Sequence, residues 1–112
     1  MEIKLRNKDG VTLCCLSGEI NINTIGGLNK VFGKLITEKT QKVVLNFSDV
    51  NYIDSTGIAS IIKFAKAIGN AGGCMVLSDV IPKIGYVFKI TKVDRLFRIF
   101  TAETEAVRNL NK

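Results

Sequence analysis

Short runs rich in β-branched residues alternate along this chain with stretches whose apolar residues recur every three or four positions, and that alternation restricts the fold more than any other feature. Lys42-Val43-Val44-Leu45-Asn46-Phe47 is nearly continuous and apolar, the pattern of a strand covered on both faces. Cys74-Met75-Val76-Leu77 reads as a second buried strand and Leu96 to Phe100 as a last one. Between them, Ile58, Ile61, Ile62, Ala65 and Ile68 mark the inner stripe of a helix ending near Gly69, and Pro82 opens a shorter helix carrying Ile84, Val87 and Phe88. Upstream, Ile3, Leu5, Val11, Leu13 and Cys15 alternate around Asp9-Gly10, which predicts a hairpin whose second strand stops at Ser17-Gly18-Glu19. Thr24 then caps a helix with Ile25, Leu28, Val31, Phe32, Leu35 and Ile36 inward, although Gly26, Gly27 and Gly33 each weaken it by about 1 kcal/mol relative to alanine. A terminal helix is expected over Thr101 to Leu110, capped by Thr101, with Glu103 and Glu105 at its positive end. Helical crossovers join parallel neighbours, so the sum is an α/β fold: an N-terminal β-hairpin leading into an open, mostly parallel sheet with about four helices.

The 112 residues, 46% of them hydrophobic, suit one domain spanning 1–112. There is no histidine, which removes Ser-His-Asp and Cys-His nucleophile activation and imidazole metal ligation. Cys14, Cys15 and Cys74 have no C-x-x-C spacing, so reduced, buried thiols are expected, with Cys14 and Cys15 on opposite faces of a strand. Neither a metal nor a cofactor is implied. No apolar run approaches the roughly 20 residues of a membrane span, and a cytoplasmic setting is the expectation. The net charge of +6 is scattered over Lys30, Lys34, Lys63, Lys66, Lys83, Lys89, Lys92, Arg95 and Arg98 without a block, the pattern of a solvated surface rather than a nucleic-acid site.

Function in such sheets gathers at the carboxyl ends of the strands, here Gly18 to Asn23, Ser48 to Ser55 and Ser78 to Ile81. No glycine-rich phosphate cradle follows any strand. Asp54-Ser55-Thr56-Gly57 is the most informative segment, because hydroxyls at a helix start meet unpaired N–H groups and the positive end of the dipole. By spacing alone it reads first as a cap, with phosphorylation or phosphate binding the next reading and hydrolysis the last, since no histidine or lysine adjoins Ser55.

The run from Val44 to Ile58, with Tyr52-Ile53 ahead of Asp54-Ser55-Thr56-Gly57, resembles the signature of STAS domains, the sulfate-transporter and anti-sigma-factor-antagonist family. Gly18-Glu19-Ile20, Gly72-Gly73 and Ile90 to Phe97 extend the likeness over nearly the whole chain. The resemblance is to free-standing bacterial anti-sigma factor antagonists. It implies that Ser55 is phosphorylated by an anti-sigma factor acting as a serine kinase, with Thr56 a second candidate. The unphosphorylated form then binds that partner and frees the sigma factor, and a PP2C-type phosphatase restores binding. Asp54 would position the serine or the kinase-bound magnesium. Glu19, Asn21, Asp49, Thr56 and Gly57 would surround the phosphosite, and Ser60 and Lys63 would touch the partner. Asn21 stands where phosphorylatable members often have aspartate, and Ala59 replaces a common second glycine. The chain itself would be a monomer or weak homodimer, not an enzyme, without nucleic-acid or membrane partners. Two other readings are a non-phosphorylated binding module in a stressosome-like or transport-linked assembly, and a small-molecule binder.

Overall fold

In the computed structural model, which describes residues 1–112, the chain runs β1 (Glu2–Lys8), β2 (Val11–Ile20), α1 (Ile25–Thr37), β3 (Lys42–Ile53), α2 (Ser55–Asn70), β4 (Cys74–Ser78), α3 (Pro82–Ile90), β5 (Ile99–Phe100) and α4 (Glu103–Leu110), with a single 3-10 turn at Val93–Arg95. The five strands lie in chain order in one sheet. β1 is antiparallel to β2 and every later pair is parallel, as expected of a hairpin followed by helical crossovers. Asp9 and Gly10 make the hairpin reversal with φ of 54° and 79°, a left-handed geometry that these two residue types tolerate.

The alternation within β3 divides the core. Val43, Leu45 and Phe47 join a cluster of 19 buried residues under α1, α2 and α3, whereas Val44 joins Val11, Leu13 and Val76 in a cluster of 7 under α4. Coverage on both sides is why Val43-Val44-Leu45 is apolar without a break. Phe47 meets Phe88 of α3 edge to face, with ring centroids 5.7 Å apart.

Several elements differ from expectation. β2 continues to Ile20 and β3 to Ile53, because parallel pairing resumes beyond two register shifts, at Cys15/Ser17 and Gly18/Glu19. Gly18 supplies the backbone at the second, with φ of 104°. The shifts also place buried residues three apart, at Phe47, Val50 and Ile53, a spacing that period-two reading misses. β5 is shorter than expected: Lys92, with φ of 62°, turns the chain into the 3-10 turn, leaving Leu96 60% exposed and only Ile99–Phe100 paired with β4. The fully buried residues of α2 are Gly57, Ile61, Phe64 and Ile68, so its inward stripe is rotated toward Phe64, while Ile58, Ile62 and Ala65 are half-buried. Phe64 stacks on Phe32 of α1, centroids 3.9 Å apart and planes within 1°.

α4 starts at Glu103, not Thr101, and its cap position is Ala102, whose side chain accepts nothing. Glu103 is instead turned to the sheet, where Arg6 Nη2 donates to both carboxylate oxygens at 2.8 and 3.0 Å and Asn46 Nδ2 donates to Oε2 at 2.8 Å. Burial alone would raise the Glu103 carboxyl, but the hydrogen bonds from Asn46 and Arg6 together with the Arg6 charge hold it below the usual range. At the other end of α4, Asn111 donates to the Asp9 carbonyl at 3.0 Å and accepts from Lys42 Nζ at 2.7 Å. Cys14 and Cys15 do face opposite ways: Cys14 lies in the large core, and Cys15 reaches toward Glu103 at 3.7 Å. Of the three free thiols Cys14 alone is fully buried, Cys15 and Cys74 being half-buried. Burial, with Cys15 alongside, pushes the Cys14 thiol up to about 12.

Candidate functional site

The strand ends converge where β2 and β3 finish together, Ile20 opposite Ile53. The Asp54 N–H donates to the Ile20 carbonyl at 3.1 Å, fastening the start of α2 to the end of β2. Asp54 then caps α2: its Oδ1 accepts from the Gly57 N–H at 2.9 Å, and its Oδ2 accepts from the Ile22 N–H at 3.1 Å in the loop that leads to α1. One carboxylate thus joins a helix N-terminus to the neighbouring loop. Ser55, the first helical residue, is exposed directly beside it.

Gly57 is buried for a steric reason. A Cβ there would lie 2.6 Å from Ile20 Cγ2 and 2.9 Å from Ile53 Cγ1, so glycine is what lets α2 start against the two strand ends. The loop before α1 is ordered by Asn21, whose Oδ1 accepts from the Asn23 N–H at 2.9 Å and the Thr24 N–H at 3.2 Å. Aspartate forms the same turn, so asparagine keeps the loop geometry and removes a charge. Thr24 occupies the cap position of α1 but does not cap it; its hydroxyl accepts from the Asn21 N–H at 2.9 Å and donates to the Glu19 carbonyl at 2.8 Å. Glu19 itself is exposed, in register with Tyr52 on β3.

Asp49 departs from the expected grouping. It is exposed on β3 opposite Ser17, five residues before Asp54, a separation of at most about 16 Å at ~3.3 Å per residue of extended chain. It adds no contact to the Asp54 cluster. Thr56, Ser60 and Lys63 are brought together with Ser55 along a groove of about 700 Å³ between α1 and α2. The wall that α1 contributes, including Asn29, Gly33 and Ile36, has no counterpart among the sequence candidates. The available signal was composition: neither Ile25–Thr37 nor Ser55–Asn70 contains an aspartate or glutamate. No group of three or more Cys, Asp or Glu side chains is placed to hold a metal ion, and no helix is long and apolar enough to cross a membrane.

A family model described as the STAS domain matches residues 2–106. The anti-sigma F factor antagonist of Paenibacillus polymyxa is 24% identical over 111 residues, covering 98% of this chain and 95% of that protein. A Thermotoga maritima crystal structure, provisionally described as an anti-sigma factor antagonist, superposes with a TM-score of 0.92 at 27% identity over 98% of this chain and 95% of that one. The phosphorylated form of the Bacillus cell fate determinant SpoIIAA has a TM-score of 0.75 at 16% identity, covering 96% of this chain and 98% of the other, a likeness of fold.

Proposed function

Because this chain belongs to the STAS domain family, and matches a relative named as an anti-sigma factor antagonist along nearly its whole length, we propose that it is such an antagonist, working as a partner switch. The unphosphorylated form binds an anti-sigma factor with serine kinase activity and so frees a sigma factor. Phosphorylation of Ser55 ends that binding, and a PP2C-type phosphatase restores it. In this cycle the chain is substrate and switch rather than catalyst.

The observation that carries the reading is the setting of Ser55: exposed, at the first position of a sixteen-residue helix, next to a carboxylate whose two oxygens are both engaged by backbone N–H groups. A phosphate there adds a charge of about −1.5 to −2, which the helix N-terminus accommodates without refolding the domain. The effect therefore falls on the interface. A partner surface shaped around a neutral hydroxyl would have to desolvate the phosphate beside Asp54, and that outweighs the contacts made by the rest of the surface. Asp54 holds α2 and the loop at Ile22 in one arrangement, so Ser55 is presented on a fixed edge; Thr56, half-buried, is the lesser acceptor.

The test is incubation with Mg-ATP and a lysate of the source organism, followed by intact mass of the wild type, Ser55→Ala and Thr56→Ala. A single added phosphate that is lost only in Ser55→Ala is expected. Sedimentation with the cognate anti-sigma factor should then show Ser55→Ala binding and Ser55→Asp not binding; equal affinity of the two would sink the switch.

A further inference from the structure

The lysines that look scattered in the sequence are gathered by the fold. α1, α2 and α3 carry Lys30, Lys34, Lys63, Lys66, Lys83 and Lys89, all exposed, and not one carboxylate. The three helices therefore contribute only positive charge, and the nearest carboxylates are at their ends, Glu38 after α1 and Asp54 before α2. Within this layer, the groove between α1 and α2 closes over the buried, stacked rings of Phe32 and Phe64, and its accessible lining includes the small residues Gly33 and Ala59. Ile36, 40% exposed, adds an apolar edge, and Lys63 stands on the α2 side. Gly33 is informative because a Cβ there would meet nothing within 4 Å. Close packing inside the domain does not require it, and mid-helix glycine costs about 1 kcal/mol against alanine. What its missing side chain leaves open is the groove.

From these observations we propose that the α1–α2 groove docks an amphipathic helix of a partner protein, one whose small apolar stripe lies along Gly33, Ile36 and Ala59 above the Phe32–Phe64 pair and whose carboxylates face Lys63, the one charged residue of a lining that holds no carboxylate. The inference rests on the antagonist reading for the partner being a protein; the groove and its charge stand apart from it. Ser55 and Thr56 line the same groove, so a phosphate on Ser55 sets negative charge at its end and repels an acidic occupant. An apolar recess suits a helix stripe better than a polyanion, which is held by cations along its backbone. It also suits a helix better than a lipid surface, which takes protruding rather than recessed apolar groups.

The probe is a short synthetic helical peptide with an Ala/Leu stripe flanked by glutamates, titrated into the 15N-labelled chain, with its glutamine counterpart as control. Shifts should cluster at Gly33, Ala59, Ser60 and Lys63, and the glutamine peptide should bind about tenfold more weakly. Lys63→Glu should weaken the glutamate peptide about fivefold or more, the effect of an exposed charge pair reversed. Gly33→Leu fills the groove from its open side and should abolish binding while leaving the thermal midpoint unchanged or higher, which separates a blocked groove from a damaged fold. Undiminished binding by Gly33→Leu, shifts lying elsewhere, or stronger perturbation of the same resonances by phosphatidylglycerol vesicles or a duplex oligonucleotide would each overturn the proposal. A chain that takes phosphate on Ser55 but ignores the peptide keeps the switch and loses the groove; one that binds the peptide but takes no phosphate does the reverse.

Discussion

One face of the sheet packs three helices over 19 buried residues, while the other packs the single helix α4 over 7. On the larger face apolar burial holds the helices, and the six lysines on their outward surfaces enter no ion pair. That surface carries lysines of one sign and the exposed Ser55. On the smaller face an eight-residue helix with a short apolar patch is tied at both ends by polar side chains, Glu103 to Arg6 and Asn46, and Asn111 to Asp9 and Lys42. Where the core is deep the surface is available for partners; where it is shallow, surface polar groups are recruited to hold structure.

The sharpest way to break this distinction is to remove core from each side. Phe47→Ala, in the large core, should cost about 3–5 kcal/mol, and Val107→Ala, on the buried side of α4, about 2 kcal/mol, both read by chemical denaturation. Equal losses would mean that the two faces contribute alike. Gly57→Ala tests the close approach that places Ser55: with a Cβ 2.6 Å from Ile20 Cγ2, it should destabilise by about 1–3 kcal/mol, and denaturant midpoints within error of the wild type would show that the approach has slack. On the α4 face Ser78 lies opposite Asn46 with a fully buried hydroxyl that has no hydrogen-bond partner, so Ser78→Ala should gain about 1 kcal/mol. A loss of that size would reveal a hidden partner for the hydroxyl.

The smaller effects concern titration. The folded-state carboxyl of Glu103 lies below its ordinary value of about 4.3, so its contribution is present above that pH and fades as pH falls through the folded value. Glu103→Gln should therefore flatten the acid side of the stability profile, measured by thermal unfolding from neutral pH down to strongly acid, and leave the neutral region with a modest, pH-independent offset. Native alkylation at pH 8 followed by intact mass should modify Cys15 and Cys74 before Cys14, whose thiol at about 12 stays protonated in the large core; early modification of Cys14 would place β2 in a more open state.

Much of this was legible in the chain. The hairpin at Asp9-Gly10, the strand at Val43 to Phe47, the helix opened by Pro82 and the cap at Asp54 all depend on residues close in sequence, whose φ preferences, periodicity and short polar side chains act locally. Phe64, the extension of β3 to Ile53 and the placement of Glu103 were not, because each is settled by a neighbour remote in sequence: Phe32, the register-shifted pairing with β2, and Arg6 with Asn46. Asp49 shows the same limit in reverse, close to Asp54 in sequence yet held apart by extended strand.

The sequence alone determined the order of strands and helices, the parallel sheet behind a hairpin, and a capped helix start bearing Ser55, since all three follow from local periodicity and capping chemistry. Only the tertiary structure decided that six lysines from three separate helices share one face, that α1 and α2 leave a groove running to Ser55, and that Asp54 joins that helix to the loop at Ile22. Those are relations between segments far apart in the chain, and they exist only once burial of the core fixes which way each helix turns.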